Sequence, residues 1–248
     1  MSYLLFYHHR RLSAHDNFPH SYLLSNGEHP FGSRFERELN ILKGEVDLSR
    51  LDTLGEEGNE AKHLVLNLID PDPTQRAPAA QIPAHPFFWD ANKRLSFLTN
   101  ASDRFDTMER DPPAPPLVKL EEGAVDVIGP NWHRKLDQLF IQDLGKFRTY
   151  DPKKVQDLLR AMRNKVSNLM VQTQIDRLTG TESFQSHHYQ DMQPRLQQIV
   201  GQLPDGFLTY FTSRFPRLFL HVYAILISQP LIRSEPRFKL FFTPEPDN

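Results

Sequence analysis

The 248-residue chain contains no cysteine. That absence excludes disulfides, thiolate metal sites and cysteine nucleophiles together, and it fits a reducing compartment. Long apolar runs are also missing. The longest, LFLHVYAILIS over residues 218–228, carries His221 and falls short of the roughly 18 residues that a membrane-spanning helix needs. It reads as a buried core helix. The first twenty residues have neither the apolar run nor the small-residue cleavage site of a secretory signal. No stretch carries a strong strand pattern. An excess of one charge is lacking too. Lysine and arginine number 29 against 31 acidic residues, so a nucleic-acid partner would need a local basic patch rather than a global one.

What is present is helical periodicity in a chain with enough apolar residues for a real core. In SRFERELNILKG, Ser33 and Glu36 have capping-box spacing, Phe35, Leu39 and Leu42 share a face, and Gly44 ends the helix. In NEAKHLVLNLIDPDP, Asn59 can cap, Ala61, Leu64, Val65 and Leu68 share a face, and Pro71 stops the run. A third helix is expected across DANKRLSFLTNASDRF, with Leu95 and Leu98 inward. The proline-rich DPPAPP then breaks the chain, and helices resume near Asn131. The reading is an all-α fold in two parts joined near Pro83 to Pro86.

The segment KKVQDLLRAMRN is the most informative. Val155, Leu158, Leu159 and Met162 follow the i, i+3, i+4, i+7 pattern of a buried stripe. Lys153, Arg160, Arg163 and Asn164 fall on the other side. Residues 146–165 hold seven basic side chains (Lys146, Arg148, Lys153, Lys154, Arg160, Arg163, Lys165) against Asp151 and Asp157, a local charge of 7 − 2 = +5. Charge alone leaves two readings open: a solvated face or a site for a phosphate backbone. HHY lacks metal-ligand spacing, and DPDP reads as helix-end punctuation rather than a cation site.

Two sets of motifs carry a resemblance. The first comprises NGEHPFG, the two helices above, DPDPTQR and HPFFW; the second comprises KFRTY, DLLRAMRNK, HHY, LPDGF and YFTSRFP. Together, and in this order, they resemble the cytosolic kinase–endoribonuclease half of the inositol-requiring stress sensors of the unfolded protein response. Ribonuclease L is similar more distantly. The resemblance implies an atypical segment over 1–20, a partial protein-kinase C-lobe over 21–84, an all-helical kinase-extension nuclease domain over 85–230 and a tail over 231–248. It also implies catalytic roles for Tyr150, Arg163, Asn164 and His188, with Lys153, Arg160 and Lys165 on the RNA. The activity implied is metal-independent cleavage of stem-loop RNA by a homodimer or higher oligomer. No cofactor is expected for that cleavage. The glycine-rich loop, phosphate-pairing lysine, HRD loop and DFG motif are not in the sequence, so the family's ATP/ADP and magnesium site is missing and kinase activity is not expected. The family is tethered to the endoplasmic reticulum membrane; this sequence as written, without a spanning segment, is expected in the cytoplasm. The rival expectation is an inactive helical interaction or dimerisation fragment from a truncated gene model.

One departure matters. In the family a single residue separates the basic helix from HHY, whereas here 21 residues, Val166 to Ser186, intervene. Removing 166–185 leaves RNKSHHYQDM, which has the family spacing. Plausible codons at its two ends match splice-donor and splice-acceptor sequences, so the insertion reads as a translated, retained intron.

Overall fold

The computed structural model of the chain describes residues 29–146, 148–166 and 194–242. Their regular structure is helical, and the one β-type pairing among them is an isolated bridge between Arg110 and Pro113. The all-α expectation holds. The described residues form two compact units, one reaching Trp89 and including the segment from Lys239, the other covering Asp90–Phe238. His188 and residues 167–185 of the insertion lie outside the described residues.

In the first unit, α1 (Arg37–Lys43) ends at Gly44, whose φ of 69° places it in the left-handed region that glycine enters without a Cβ clash. The capping-box expectation needs correction. Glu36 is itself the cap residue, and Ser33 acts by donating its hydroxyl to the Glu36 carboxylate at 2.6 Å. The expected apolar face is uncovered among the described residues: Phe35 is 96% exposed and Leu42 86%. Phe35 precedes α1, and no residue of the seven-residue helix is buried. The unit's core forms around α2 (Gly55–Leu68), where Ala61 and Val65 pack with Phe31, Leu48, Leu51 and Ile69. Because α2 begins at Gly55, Asn59 lies inside it and is not its cap.

In the second unit, Asp90 caps α3 (Ala91–Asp106) by accepting from the Lys93 N–H at 2.7 Å. Leu95 and Leu98 point inward, as the periodicity implies. Helices resume earlier than expected, at α4 (Pro115–Glu121), because proline is tolerated in the first turn, where its missing N–H would have had no helical partner. There follow α5 (Ala124–Ile128), α6 (Gln138–Gly145), α7 (155–166 of the described residues), α8 (Pro194–Val200), α9 (Asp205–Thr212) and α10 (Leu218–Ile227). Two short helices, α11 (Pro230–Ser234) and α12 (Pro236–Phe242), stand where the sequence suggests a tail.

The second unit's core is aromatic. Phe97 of α3 lies 5.8 Å from Phe219 and 6.0 Å from Tyr223 of α10, ring centre to ring centre, and Phe140 of α6 lies 5.6 Å from Phe211 of α9. Burying each such side chain stabilises the fold by about 1.5–3 kcal/mol. The LPDGF motif has a steric explanation. A Cβ on Gly206 would stand 2.9 Å from the Gly201 Cα, so the turn into α9 closes only with glycine at both positions.

Candidate active site

The site is built on α7, and neighbouring segments hold both the start of that helix and the extended stretch before it. The Glu121 carboxylate at the end of α4 accepts from the Val155 N–H at 2.8 Å and the Gln156 N–H at 3.0 Å. A carboxylate there satisfies two orphan donors and complements the positive end of the helix dipole. Trp132, fully buried, fixes residues 150–152: its backbone N–H donates to the Pro152 carbonyl at 2.9 Å and its indole N–H to the Asp151 carbonyl at 3.1 Å. Val155, Leu158, Leu159 and Met162 are all buried, which is the expected stripe. Arg160, Arg163 and Asn164 are thereby turned away from the core.

Three of the four expected catalytic positions come together. Arg163 donates to the Asn164 Oδ1 through Nε at 3.2 Å and Nη2 at 3.0 Å. Asn164 Nδ2 in turn donates to the Tyr150 hydroxyl at 2.9 Å. The result is a continuous hydrogen-bonded row, Arg163–Asn164–Tyr150. The fourth position, His188, is outside the described residues.

The basic face differs from its expected form. Arg163 and Asn164 are half-buried rather than open to solvent. Arg163 Nη1 donates to Asp103 at 2.9 Å and to Asp106 at 2.7 Å, and Arg160 binds Asp106 through Nε at 3.1 Å and Asp157 through Nη1 at 2.6 Å. Lys165 is 5% exposed, with its ammonium on Asp143, which also accepts from Lys146 at 3.1 Å. Sequence reasoning misses Asp143, Asp106 and Asp103. Asp103 and Asp106 share a face of α3 at i, i+3 spacing, but nothing local shows that they meet a cation 60 and 57 residues away. Lys153, with Arg148 and Lys154, is exposed.

Electrostatics follow the geometry. Burial pushes the Asp106 carboxyl up, but hydrogen bonds and charge from Arg160 and Arg163 outweigh it and hold Asp106 below the usual carboxylate range. Asp143 behaves likewise: burial raises it, Lys165 and Lys146 lower it further, and the net direction is down. The hydrogen bond to Asp106 raises Arg160. Among the described residues no group of three or more histidine and carboxylate side chains is placed to hold a metal ion.

The sequence of this helical unit matches a known class of proteins. The sequence model of the family Ribonuclease 2-5A matches residues 94–180 and 184–242, more than half of the chain. The chain belongs to that family. It is also similar, at 40% identity over 220 residues, to the sensor for unfolded proteins in the ER ire1 of Schizosaccharomyces pombe, covering 89% of this chain and 18% of that protein. Similarity to the serine/threonine-protein kinase/endoribonuclease IRE1 of Hypocrea jecorina is 39% over 225 residues, covering 90% of this chain and 16% of the relative. For the serine/threonine-protein kinase/endoribonuclease IRE2 of Homo sapiens it is 38% over 225 residues, covering 90% and 22%. The chain thus spans between 16% and 22% of the length of these relatives.

Proposed function

We propose that this chain is an endoribonuclease that cleaves stem-loop RNA by attack of a 2′-hydroxyl on the adjacent phosphate, leaving a 2′,3′-cyclic phosphate. The observation that carries the reading is the Arg163–Asn164–Tyr150 row, in a chain of the ribonuclease 2-5A family. A guanidinium beside the scissile phosphate stabilises the charge that grows on its oxygens in the transition state. Asn164 orients without titrating. Tyr150 holds the attacking 2′-oxygen, whose proton passes to solvent as the bond to phosphorus forms. His188 protonates the leaving 5′-oxygen, a role suited to an ordinary pKa near 6.5. This chemistry calls for no metal. Lys153 and its exposed neighbours hold the flanking backbone. The setting is the unfolded protein response, since the fission-yeast relative is a sensor for unfolded proteins in the ER. The substrate is a stress-response messenger, and the outcome is unconventional splicing. Cleavage takes place in the cytosol, and the active form is a homodimer or larger assembly. Phosphoryl transfer is not part of the proposal.

The test is cleavage of an end-labelled hairpin RNA in the presence of a chelator. The expected product carries a 2′,3′-cyclic phosphate, and Asn164→Ala and His188→Ala each abolish it. Cleavage that needs added divalent metal, or that survives both substitutions, rejects the reading. An RNA-inert chain that still self-associates would identify it instead as a helical dimerisation fragment.

A further inference from the structure

We propose that Asp106 is a positioning residue: through Arg163 and Asn164 it fixes the direction of the hydrogen bond at Tyr150, so that the tyrosine meets substrate as a proton donor. The inference rests on the nuclease reading of this site and goes beyond it in assigning a fifth residue and a polarity.

The polarity follows from what each group can do. A guanidinium only donates. The side-chain oxygen of Asn164 must therefore be the atom facing Arg163, and two Arg163 nitrogens converge on it, at 3.2 and 3.0 Å. The amide orientation is thereby set by chemistry. With Oδ1 committed to Arg163, Nδ2 faces Tyr150 at 2.9 Å and can only donate. The Tyr150 hydroxyl accepts, so its own proton is directed elsewhere. Tyr150 is itself 7% exposed and its ring stands edge-on to Trp132 at 6.4 Å, so the hydroxyl has little freedom to escape this bond.

Asp106 holds the other end of the row. It receives Arg163 Nη1 at 2.7 Å, Arg160 Nε at 3.1 Å and Gln156 Nε2 at 3.1 Å, one residue from each successive turn of α7. The Arg163 side chain is 14% exposed, and Asp106 anchors it on the edge opposite Asn164. Asp103 shares Nη1 at 2.9 Å, but its side chain is 48% exposed, so it is the weaker anchor. Without Asp106 the guanidinium can swing away from Asn164. The amide then loses the partner that fixes its orientation, and the Tyr150 hydroxyl can turn its proton inward.

The experiment uses the full chain and two readouts. The first is independent of activity: the side-chain amide resonances of Asn164, expected in the unmutated protein to be slowed in exchange and to show an NOE to the Tyr150 ring. Asp106→Asn should lose both features and Asp106→Glu should regain them. The second is single-turnover cleavage of the hairpin. Asp106→Asn should lower the rate at saturating RNA by about ten- to a hundredfold, the scale of a misplacement near 1 Å. The half-saturating RNA concentration should stay within about twofold, since uniform binding is untouched, and Asp106→Glu should recover most of the rate. Asn164→Asp reverses the polarity, because its second oxygen takes the tyrosine proton; it should be as slow as Tyr150→Phe. Unchanged Asn164 resonances in Asp106→Asn overturn the proposal, and so does a rate equal to or above the unmutated one, which would mark Asp106 as a competitor of the phosphate. If no form cleaves RNA, even with residues 166–185 deleted, the nuclease reading fails and the resonances alone decide whether Asp106 sets the row.

Discussion

Lys165, expected on RNA, is instead nearly buried on Asp143, which makes their pair a sharp test of how α7 is held. Side-chain exposure is 6% for Lys165 and 11% for Asp143. Asp143→Ala would strip that ammonium of the Asp143 carboxylate in a space of low dielectric. Lys146, whose side chain is 52% exposed, is a second cation and cannot compensate. Breaking a buried pair in this way costs about 3–5 kcal/mol. For a unit of this size each kcal/mol moves the midpoint by about 2–4 °C, so the expected fall in Tm is about 6–20 °C. Replacing both partners, Asp143→Leu with Lys165→Met, should recover most of the loss, because the pair itself gains little over an apolar contact once desolvation is counted.

The pH dependence has a definite sign. The Asp143 carboxyl is held below its ordinary value by its lysines. Its contribution is therefore fully present above the unfolded carboxylate pKa, near 3.9, and is lost as pH falls through the lower folded value. Calorimetry at pH 7 should show the whole gap between unmutated and Asp143→Ala proteins, and the gap should close only under strongly acid conditions. A fall of less than about 2 °C at pH 7 would refute the buried-pair argument, as that corresponds to under about 1 kcal/mol. So would a Lys165→Met protein whose RNA affinity lost about one unit of its log–log salt slope, because that loss is the mark of a lysine bound to phosphate.

Three other outcomes are expected. Lys153→Ala should reduce the salt slope of RNA binding by about one while leaving Tm nearly unchanged, because Lys153 is exposed; binding measured by fluorescence anisotropy across a salt series checks it. Deleting residues 166–185 should raise the rate of hairpin cleavage well above that of the full chain, and adding His188→Ala to the deletion should abolish the gain; equal rates for the full chain and the deletion would show that the insertion does not disturb the site. His85 is buried, and desolvation with the charge of His63 lowers its pKa to about 3; as the folded value is depressed, the stability it contributes is present above pH about 6.5 and drains away towards pH 3, so His85→Phe should flatten the acid limb of the first unit's unfolding curve.

Residue periodicity makes some of this legible and leaves the rest hidden for physical reasons. The stripe Val155, Leu158, Leu159 and Met162 is a local property of an amphipathic helix, and all four side chains are buried. The same period misleads at Phe35, Leu39 and Leu42, since an apolar face needs something to cover it and helix period says nothing about that. Proline-rich DPPAPP reads as a break, yet two of its prolines open α4. The helical step places the arginines on a face but does not supply their partners. Asp106 meets Arg163 across 57 residues, and only the packing of α3 against the rest of the unit creates that neighbour. Tyr150, Arg163 and Asn164 stand out through motif order, not through their chemistry; the row that joins them appears only when residues 150–152 are fixed by Trp132 and α7 by Glu121.

The carboxylates also change what the basic segment means. Of its seven cations, Lys146, Arg160, Arg163 and Lys165 are engaged by Asp103, Asp106, Asp143 and Asp157, four charges against four. The remaining 7 − 4 = 3, Arg148, Lys153 and Lys154, are exposed and sit at or before the start of α7. On the proposed reading, attraction belongs to the stretch before α7 and chemistry to the helix itself. If the chain binds RNA as proposed, long-range pull on the polyanion comes from these open cations, and salt screens it within about 8–10 Å. The arginine that would touch the reacting phosphate is instead neutralised and pinned. A pinned guanidinium adds little to encounter, but it spends less conformational freedom when charge develops beside it, which is the condition for an electrostatic group to act on the transition state rather than on binding. On this account substitutions at the entry should change affinity and its salt dependence, whereas substitutions among Asp106, Arg163 and Asn164 should change the rate at saturation.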